Sequence, residues 1–157
     1  MALDDTAKES NILDSIKKYF TDSLKTAEGL NVTFDKYLST PNIQGKSVDR
    51  WVSINVFNMQ LSELSSLDLE IFCCTRSDGE GFKRAQVRDK VFKYLTDNTQ
   101  TDGMARIAFY RSRADGNWTL LDGGFVITQP IPETSFTMDD GTKVKHLVPR
   151  LRFSSKV

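Results

Sequence analysis

The sequence is poor in the residues that build thiol and metal sites, with two cysteines and one histidine among 157 residues. Cys73 and Cys74 are adjacent, and neighbours on a strand point to opposite faces, so they are badly placed to bond with each other. The pair lacks the two-residue spacer of dithiol motifs, and no Cys/His cluster exists for zinc. We interpret the cysteines as framework residues and His146 as a strand-surface residue. We therefore expect neither an enzyme nor a bound cofactor or metal.

The sequence also lacks net charge and long apolar segments. Lysine and arginine together number 21, as do aspartate and glutamate, whereas proteins that bind nucleic acid through their whole surface usually carry a basic excess. No stretch approaches the roughly 18 apolar residues of a membrane span. The polar beginning MALDDTAKES has neither the basic nor the apolar region of a secretory signal. We expect a cytosolic, reduced protein with no membrane partner, whose neutral surface does not oppose self-association.

The segment TRSDGEG (75–81) is rich in glycine and charge but does not match a phosphate-binding loop. It lacks the Lys-Ser/Thr pair that brings an ammonium group and a metal-binding hydroxyl to a phosphate. The carboxylates of Asp78 and Glu80 also repel anions. The segment instead has the composition of a turn that enters a helix, with Ser77 or Asp78 as the N-cap.

Hydrophobic periodicity predicts two amphipathic helices, at about 6–26 and 82–95. The apolar side chains that recur at helical spacing are Ile12, Ile16, Phe20 and Leu24 in the first and Val87, Val91 and Leu95 in the second. Alternation and turn residues predict strands at 31–39, 50–60, 67–75, 105–112, 118–131 and 144–155. The segment 40–49 is predicted as a loop, and an extended loop or hairpin is predicted at about 129–143, with a turn at Asp140-Gly141.

These elements predict one α+β domain over 1–157, in the order α-β-β-β-α-β-β-β. Two amphipathic helices need a surface to cover, so we expect both to pack on one face of a mostly antiparallel sheet. Pro149 removes a ladder donor from the last strand, which favours a sheet edge or a bulge there.

The opposite face of the predicted sheet carries aromatic residues among polar ones. If they cluster, they form an apolar patch of the kind that marks a partner surface. We expect a subunit interface that includes Trp51, Phe57, Phe72 and Tyr110. Four arginines form the most distinct group of basic residues. We expect them either to be ordinary exposed charges on strands or to face the phosphates of DNA. These residues are Arg111, Arg113, Arg150 and Arg152.

The arrangement as a whole resembles a known family. An N-terminal helix leads to a strand, then WVSINVFNMQ pairs with LDLEIFCCTR, a charged turn opens the helix FKRAQVRDKVFKYL, and a block of strands ends the chain. This layout is similar to the tail terminator, or tail completion, proteins of long-tailed bacteriophages, the lambda-type ring family. The resemblance covers nearly the whole chain and consists of the order of elements rather than of a diagnostic motif.

The resemblance implies a structural virion protein that caps the tail tube as a ring, ends tube polymerisation and joins the tail to the head. It implies a homo-oligomeric ring, expected to be a hexamer, with the tail tube protein and a head-completion or neck protein as partners. DNA passes through the lumen without sequence specificity. The protein is expected in the virion tail at the head–tail junction, after assembly in the host cytoplasm.

Two other functions fit the same sequence features. One is a head-closure, neck or tail-tube subunit. A tail-tube subunit polymerises into long stacks by itself, whereas a terminator stops at rings. The other is a small intracellular ligand-binding α+β domain, which requires a concave pocket with convergent polar groups.

Overall fold

The computed structural model describes residues 9–34, 42–43, 46–47, 49–60, 65–111 and 118–154. Within these ranges it contains the α-helices α1 (Glu9–Phe20) and α2 (Phe82–Phe92) and a π-helix (Thr21–Ala27). The strands are β1 (Asn31–Phe34), β2 (Asn42–Ile43), β3 (Lys46–Ser47), β4 (Arg50–Gln60), β5 (Ser65–Thr75), β6 (Arg106–Arg111), β7 (Thr119–Ile127), β8 (Glu133–Thr137), β9 (Lys143–Leu147) and β10 (Arg150–Ser154).

The two longest strands, β4 and β5, have 11 residues each and pair antiparallel. Their sequences alternate, and the alternate side chains that face the core are Val52 and Ile54 on β4 and Leu67, Leu69, Ile71 and Cys73 on β5. The register shifts between Phe57 and Gln60, where Asn58 has a φ of 56°. Such a shift bends the end of a strand and strengthens its twist.

Eight strands form one sheet, whose main path runs β1-β4-β5-β10-β7-β6, while β9 pairs with β5 and carries β8. The pair β1–β4 is parallel, and the other pairs of this sheet are antiparallel. β2 and β3 form a separate antiparallel pair. They lie in the segment predicted as a loop, so that prediction is wrong for these residues.

The sheet branches at Pro149. The sequence predicts one strand over 144–155, but the chain forms β9 and β10 with a break at Val148 and Pro149. Proline has no N–H group with which to continue a ladder. Its carbonyl accepts a hydrogen bond from the N–H of Leu69 at 3.0 Å instead. One edge of β5 is therefore shared: its first half pairs with β10 and its second half with β9.

The segment 129–143, expected as an extended loop or hairpin, contains β8, which pairs with β9. The chain reverses between these strands where the sequence predicts a turn. The N–H of Met138 donates to the carbonyl of Thr142 at 2.8 Å. Gly141 has a φ of +87°, a conformation that glycine adopts at little cost. The other edge of β8 is unpaired within the part of the chain that the structure describes.

The first helix covers the sheet and closes one of its edges. Ile12, Ile16 and Phe20 are buried in the core. The hydroxyl of Ser15 accepts a hydrogen bond from the N–H of Tyr110 on the edge strand β6 at 2.8 Å. Of the predicted helix 6–26, residues 6–8 lie outside the described ranges, and the segment after α1 continues as a π-helix to Ala27.

The second helix begins after a carboxylate that caps it. Asp78 accepts hydrogen bonds from the N–H groups of Arg84 at 2.8 Å and Lys83 at 3.3 Å, and from the hydroxyl of Thr75 at 3.1 Å. Burial raises the pKa of Asp78, but these hydrogen bonds outweigh burial and hold the pKa below its ordinary value. The N-cap residue itself is Gly81, so the prediction of Ser77 or Asp78 at that position is wrong, although the side chain of Asp78 bonds the start of the helix from three residues earlier. The helix itself ends at Phe92, before the predicted end.

The predicted class is confirmed at the level of a mixed α+β fold with two helices and a mostly antiparallel sheet, which is strongly curled. The buried apolar residues of both helices join one core cluster with side chains of the facing strands. The strands outnumber those predicted because β2 and β3 lie in a predicted loop, β8 lies in the predicted extended loop or hairpin, and the last predicted strand is divided.

We expect Asp78→Asn to lower the free energy of unfolding by about 1 kcal/mol at neutral pH, because an amide oxygen is a weaker acceptor for the N–H groups of α2. The folded-state pKa of Asp78 is depressed, so its contribution is present above the pKa of an unfolded aspartate and is lost as the pH falls through the folded pKa. Urea unfolding from neutral to strongly acidic pH checks this. Glu80→Gln removes an exposed carboxylate from the same turn as the control. An equal loss in both variants contradicts the capping role.

Candidate interaction surfaces

The sheet has an inner face, which contacts the core and both helices, and an opposite face that we call the outer face. On β4 and β5 the outer face is formed by cross-strand partners that alternate with the core residues. These are Trp51, Ser53, Asn55 and Phe57 on β4 and Cys74, Phe72, Glu70 and Asp68 on β5. Two of the four predicted interface aromatics on this face proved to be buried.

One end of the outer face is sealed within the folded chain. Its buried members are Trp51, Phe72, Cys74 and Val144, and Met138 packs against them. The ring of His146 stacks on that of Phe72, with centroids 4.6 Å and planes 4° apart. Trp51 and Phe72 therefore offer no surface to a sister subunit. This corrects the expectation that they lie exposed, because the turn of the β8–β9 hairpin brings a side chain of its own against them.

At the other end of the outer face, Phe57 is 38% exposed. It borders an open, mainly apolar groove of about 320 Å³ between α1 and β4, which is also lined by Leu13, Phe34 and Met59. A role for Phe57 in a subunit interface stays a prediction.

Tyr110 belongs to a different patch, because three strands separate β4 from β6 in the sheet. Its half-buried ring packs edge to face against Trp118 at 5.8 Å between centroids. The ammonium nitrogen of Lys18 lies 5.4 Å and 5.3 Å from the two ring centres, a distance typical of cation–π contacts. Across the strand pair from Tyr110 lies Leu120, which is 66% exposed.

The structure adds exposed apolar side chains that the sequence analysis missed. Besides Leu120, they are Phe82 at the start of α2, which is 68% exposed, and Phe136 on β8, which is 38% exposed. Leu120 had a detectable signal, because it adjoins Leu121 in a strand and two neighbours cannot both face the core. Phe136 lies in the segment 129–143, predicted as an extended loop or hairpin, for which the sequence analysis assigned no strand or exposed face.

The four predicted arginines do not form one row. Arg111 lies on β6, and its Nε is buried without a hydrogen-bond partner. Arg113 lies outside the described residues. Arg150 and Arg152 lie on β10, which β7 separates from β6. A role of this set in facing DNA stays a prediction.

Arg150 and Arg152 line a groove on the outer face, about 460 Å³ in volume, which we call the arginine groove. Its other walls include Ser65, Ser66, Val126 and Phe153. The Nε of Arg150 lies 2.9 Å from Oδ1 of Asp68. The hydrogen bond from Arg150 is the main cause that holds the pKa of Asp68 below its ordinary value. Arg152 is exposed and has no ion-pair partner among the residues that the structure describes.

The cysteines and the histidine occupy structural positions. Cys73 and Cys74 are free and buried, one in the main core and one in the sealed end of the outer face. Burial raises the pKa of Cys74 to about 12 and raises that of Cys73 as well, which leaves little of the reactive thiolate. The Nε2 of His146 lies 3.7 Å from Oε1 of Glu70.

Within the described ranges, no group of three or more His, Cys, Asp and Glu side chains is placed to hold a metal ion. A search of the same ranges finds no helix with the length and apolar character to cross a membrane.

Comparison with known proteins identifies the fold but no family. No protein-family model matches the chain, and no curated protein does. Among solved structures 12 chains match. One of them has a TM-score of 0.63 at 10% sequence identity, over 96% of this chain and 99% of its own length, and its name states no activity or partner. At that identity the likeness shows the fold alone.

We expect Phe72→Ala to lower the free energy of unfolding by about 3 kcal/mol, because it opens a cavity in the sealed end of the outer face. Phe57→Ala removes the same ring from an exposed position on the same face, and we expect a loss below about 1 kcal/mol. Urea unfolding of the two variants at the same low protein concentration measures both. Similar losses in the two would show that the two ends of the outer face are equally packed.

Proposed function

We propose that this chain is a structural virion protein, a tail terminator that caps the phage tail tube as a homo-oligomeric ring. In this role it ends tube polymerisation, meets the tail tube protein on one side of the ring and a head-completion or neck protein on the other, and lets DNA pass through the lumen. The proposal rests on one observation. An unpaired strand edge and several exposed apolar side chains lie at separate places on the same chain. A ring subunit needs two different surfaces that close by rotation.

The first of these surfaces is the free edge of β8. Four of the five residues of this strand are exposed, and its outer edge has no partner within the described residues. An exposed edge strand is a template for pairing with another chain. By contrast, the edge of β6 is covered in part by α1, through the hydrogen bond between Ser15 and Tyr110. Assembly into a closed ring removes the edge that a monomer leaves open.

The second surface is apolar and lies away from β8 in the sheet. Phe57 borders the groove between α1 and β4, while Leu120 and Tyr110 form a patch on the β6–β7 pair. Exposed apolar patches mark partner surfaces. Two or more such patches on one chain allow a subunit to contact its neighbours in the ring and the proteins above and below it.

The charge distribution agrees with a channel through which DNA slides. The formal net charge is zero, and the positive charge of Arg150 is offset by Asp68. Tight phosphate clamping by many basic side chains gives strong, salt-dependent binding, which opposes sliding. A lumen without such a clamp passes DNA of any sequence.

The proposal also includes the finer description of the fold. We take β2, β3 and β8 as additions to a common order α-β-β-β-α-β-β-β, in which β9 and β10 together form the last strand. The runner-up function is a neck or tail-tube subunit. The same free edge of β8 favours it, because an unpaired edge also permits open-ended stacking.

Light scattering with negative-stain imaging of the purified protein tests the proposal. We expect closed rings of one diameter that do not lengthen as the protein concentration rises, because a terminator ring does not bind further rings of its own kind. Addition of the purified rings to polymerising tail tubes is expected to stop their growth. Long tubes formed by the protein alone favour the tube subunit, and a strict monomer at all concentrations contradicts the proposal.

A further inference from the structure

We propose that the arginine groove of one copy receives the acidic turn of the β8–β9 hairpin of the next copy. The acidic turn consists of Asp139 and Asp140. This inference rests on the proposed ring and names one of the contacts that close it.

The arginine groove carries an uncompensated positive charge. Asp68 offsets one of its two guanidinium groups by pairing with Arg150. The cross-strand neighbours of Arg152 are Ser66 on β5 and Val126 on β7, both without charge. The guanidinium of Arg152 is therefore available to a carboxylate that enters the groove, and the hydroxyl of Ser66 there can donate a further hydrogen bond.

The acidic turn has the complementary charge in an exposed place. Asp140 is engaged locally: it accepts a hydrogen bond from the N–H of Thr142 at 3.0 Å and lies 3.4 Å from a guanidinium nitrogen of Arg76. Asp139 is exposed and has no ion-pair partner in the described part of the chain. The local bonds of Asp140 hold the turn in shape and leave Asp139 as the carboxylate offered to a neighbour.

The two places cannot meet within one molecule. Arg152 lies opposite Ser66, at the start of β5, whereas the base of the acidic turn pairs with Thr75, at the end of β5, through Lys143. Thr75 lies nine residue steps along the extended strand from Ser66, about 30 Å at the rise of a β-strand. The complementary charges are thus fixed at opposite ends of the same rigid strand. A contact between them has to join two copies, and it joins two different surfaces, as a ring requires.

The expected strength follows from the setting of the contact. A fully exposed ion pair contributes little because water screens it. In the groove, Val126 and Phe153 exclude part of that water, so the attraction between carboxylate and guanidinium is larger than at an open surface. The contact also sets the orientation of the two copies, which is where charge complementarity acts most strongly.

Charge reversal tests the contact. We expect Arg152→Glu and Asp139→Arg each to raise the protein concentration at which rings dissociate by about tenfold or more, because each places like charges together. The double variant is expected to recover rings, since it restores opposite charges with the two signs exchanged. Arg106→Glu is the control: it reverses an exposed arginine in the same cross-strand row, which does not line the groove and pairs with Asp102 at 3.3 Å instead. Light scattering over a dilution series gives the result, and urea unfolding checks that each variant is folded.

The outcomes separate this inference from the proposed function. If the wild-type protein forms rings and the single reversals leave them unchanged, the contact is overturned while the ring stands. If the wild-type protein is a monomer, both fail. If Arg152→Glu keeps its rings but loses retention of double-stranded DNA, the groove faces nucleic acid and the contact is overturned. Failure of the double variant to recover rings lost by both single variants also overturns it.

Discussion

The pairing of β5 along both of its edges is the constraint on which the rest of the structure depends. It is bonded to β4 on one side and to β10 and then β9 on the other. All of its residues except Ser66 and Glu70 are buried. A strand can be buried in this way only if its backbone groups are bonded on both sides. The polar side chains buried with it are also paired, as Asp68 is with Arg150 and Thr75 with Asp78.

The break at Pro149 determines how that strand is shared. Because the ladder is interrupted there, β9 and β10 lead to separate branches of the sheet, one ending in β8 and the other in β6. The branch with β8 places the turn of its hairpin near the sealed end of the outer face. The branch with β7 and β6 leaves the arginine groove open at the opposite end of β5. One missing backbone donor thus divides the outer face into a buried part and an accessible part.

This division bears on the proposed assembly. Had the whole outer face been sealed, sister copies would have had no place to bind on it, and the ring would have required other surfaces. The exposed apolar side chains instead lie at four places: beside α1, at the start of α2, on the β6–β7 pair and on β8. In the proposed ring, this separation gives each subunit different surfaces for its two neighbours.

The local sequence determined those helices and strands whose pattern of apolar residues shows which side is buried. The helical stripe of Ile12, Ile16 and Phe20 and the alternation along β4 and β5 record burial directly, because a side chain facing the core has to be apolar. The sequence also pointed to Asp78 at the start of α2, because the carboxylate accepts N–H groups only a few residues away, but it did not place the N-cap, which is Gly81. The mixed α+β class followed from these patterns.

Only the tertiary structure decided which parts of the outer face are exposed. Trp51 and Phe57 occupy the same face of one strand and look alike in sequence, yet Trp51 is buried and Phe57 is not. The difference depends on what lies over each, and Met138 reaches the cluster of Trp51 from far along the chain. The sequence also did not show that β5 is shared between two partner strands. The alternation of apolar residues in a strand indicates which of its faces is buried, but it does not indicate which strand is hydrogen-bonded to each edge.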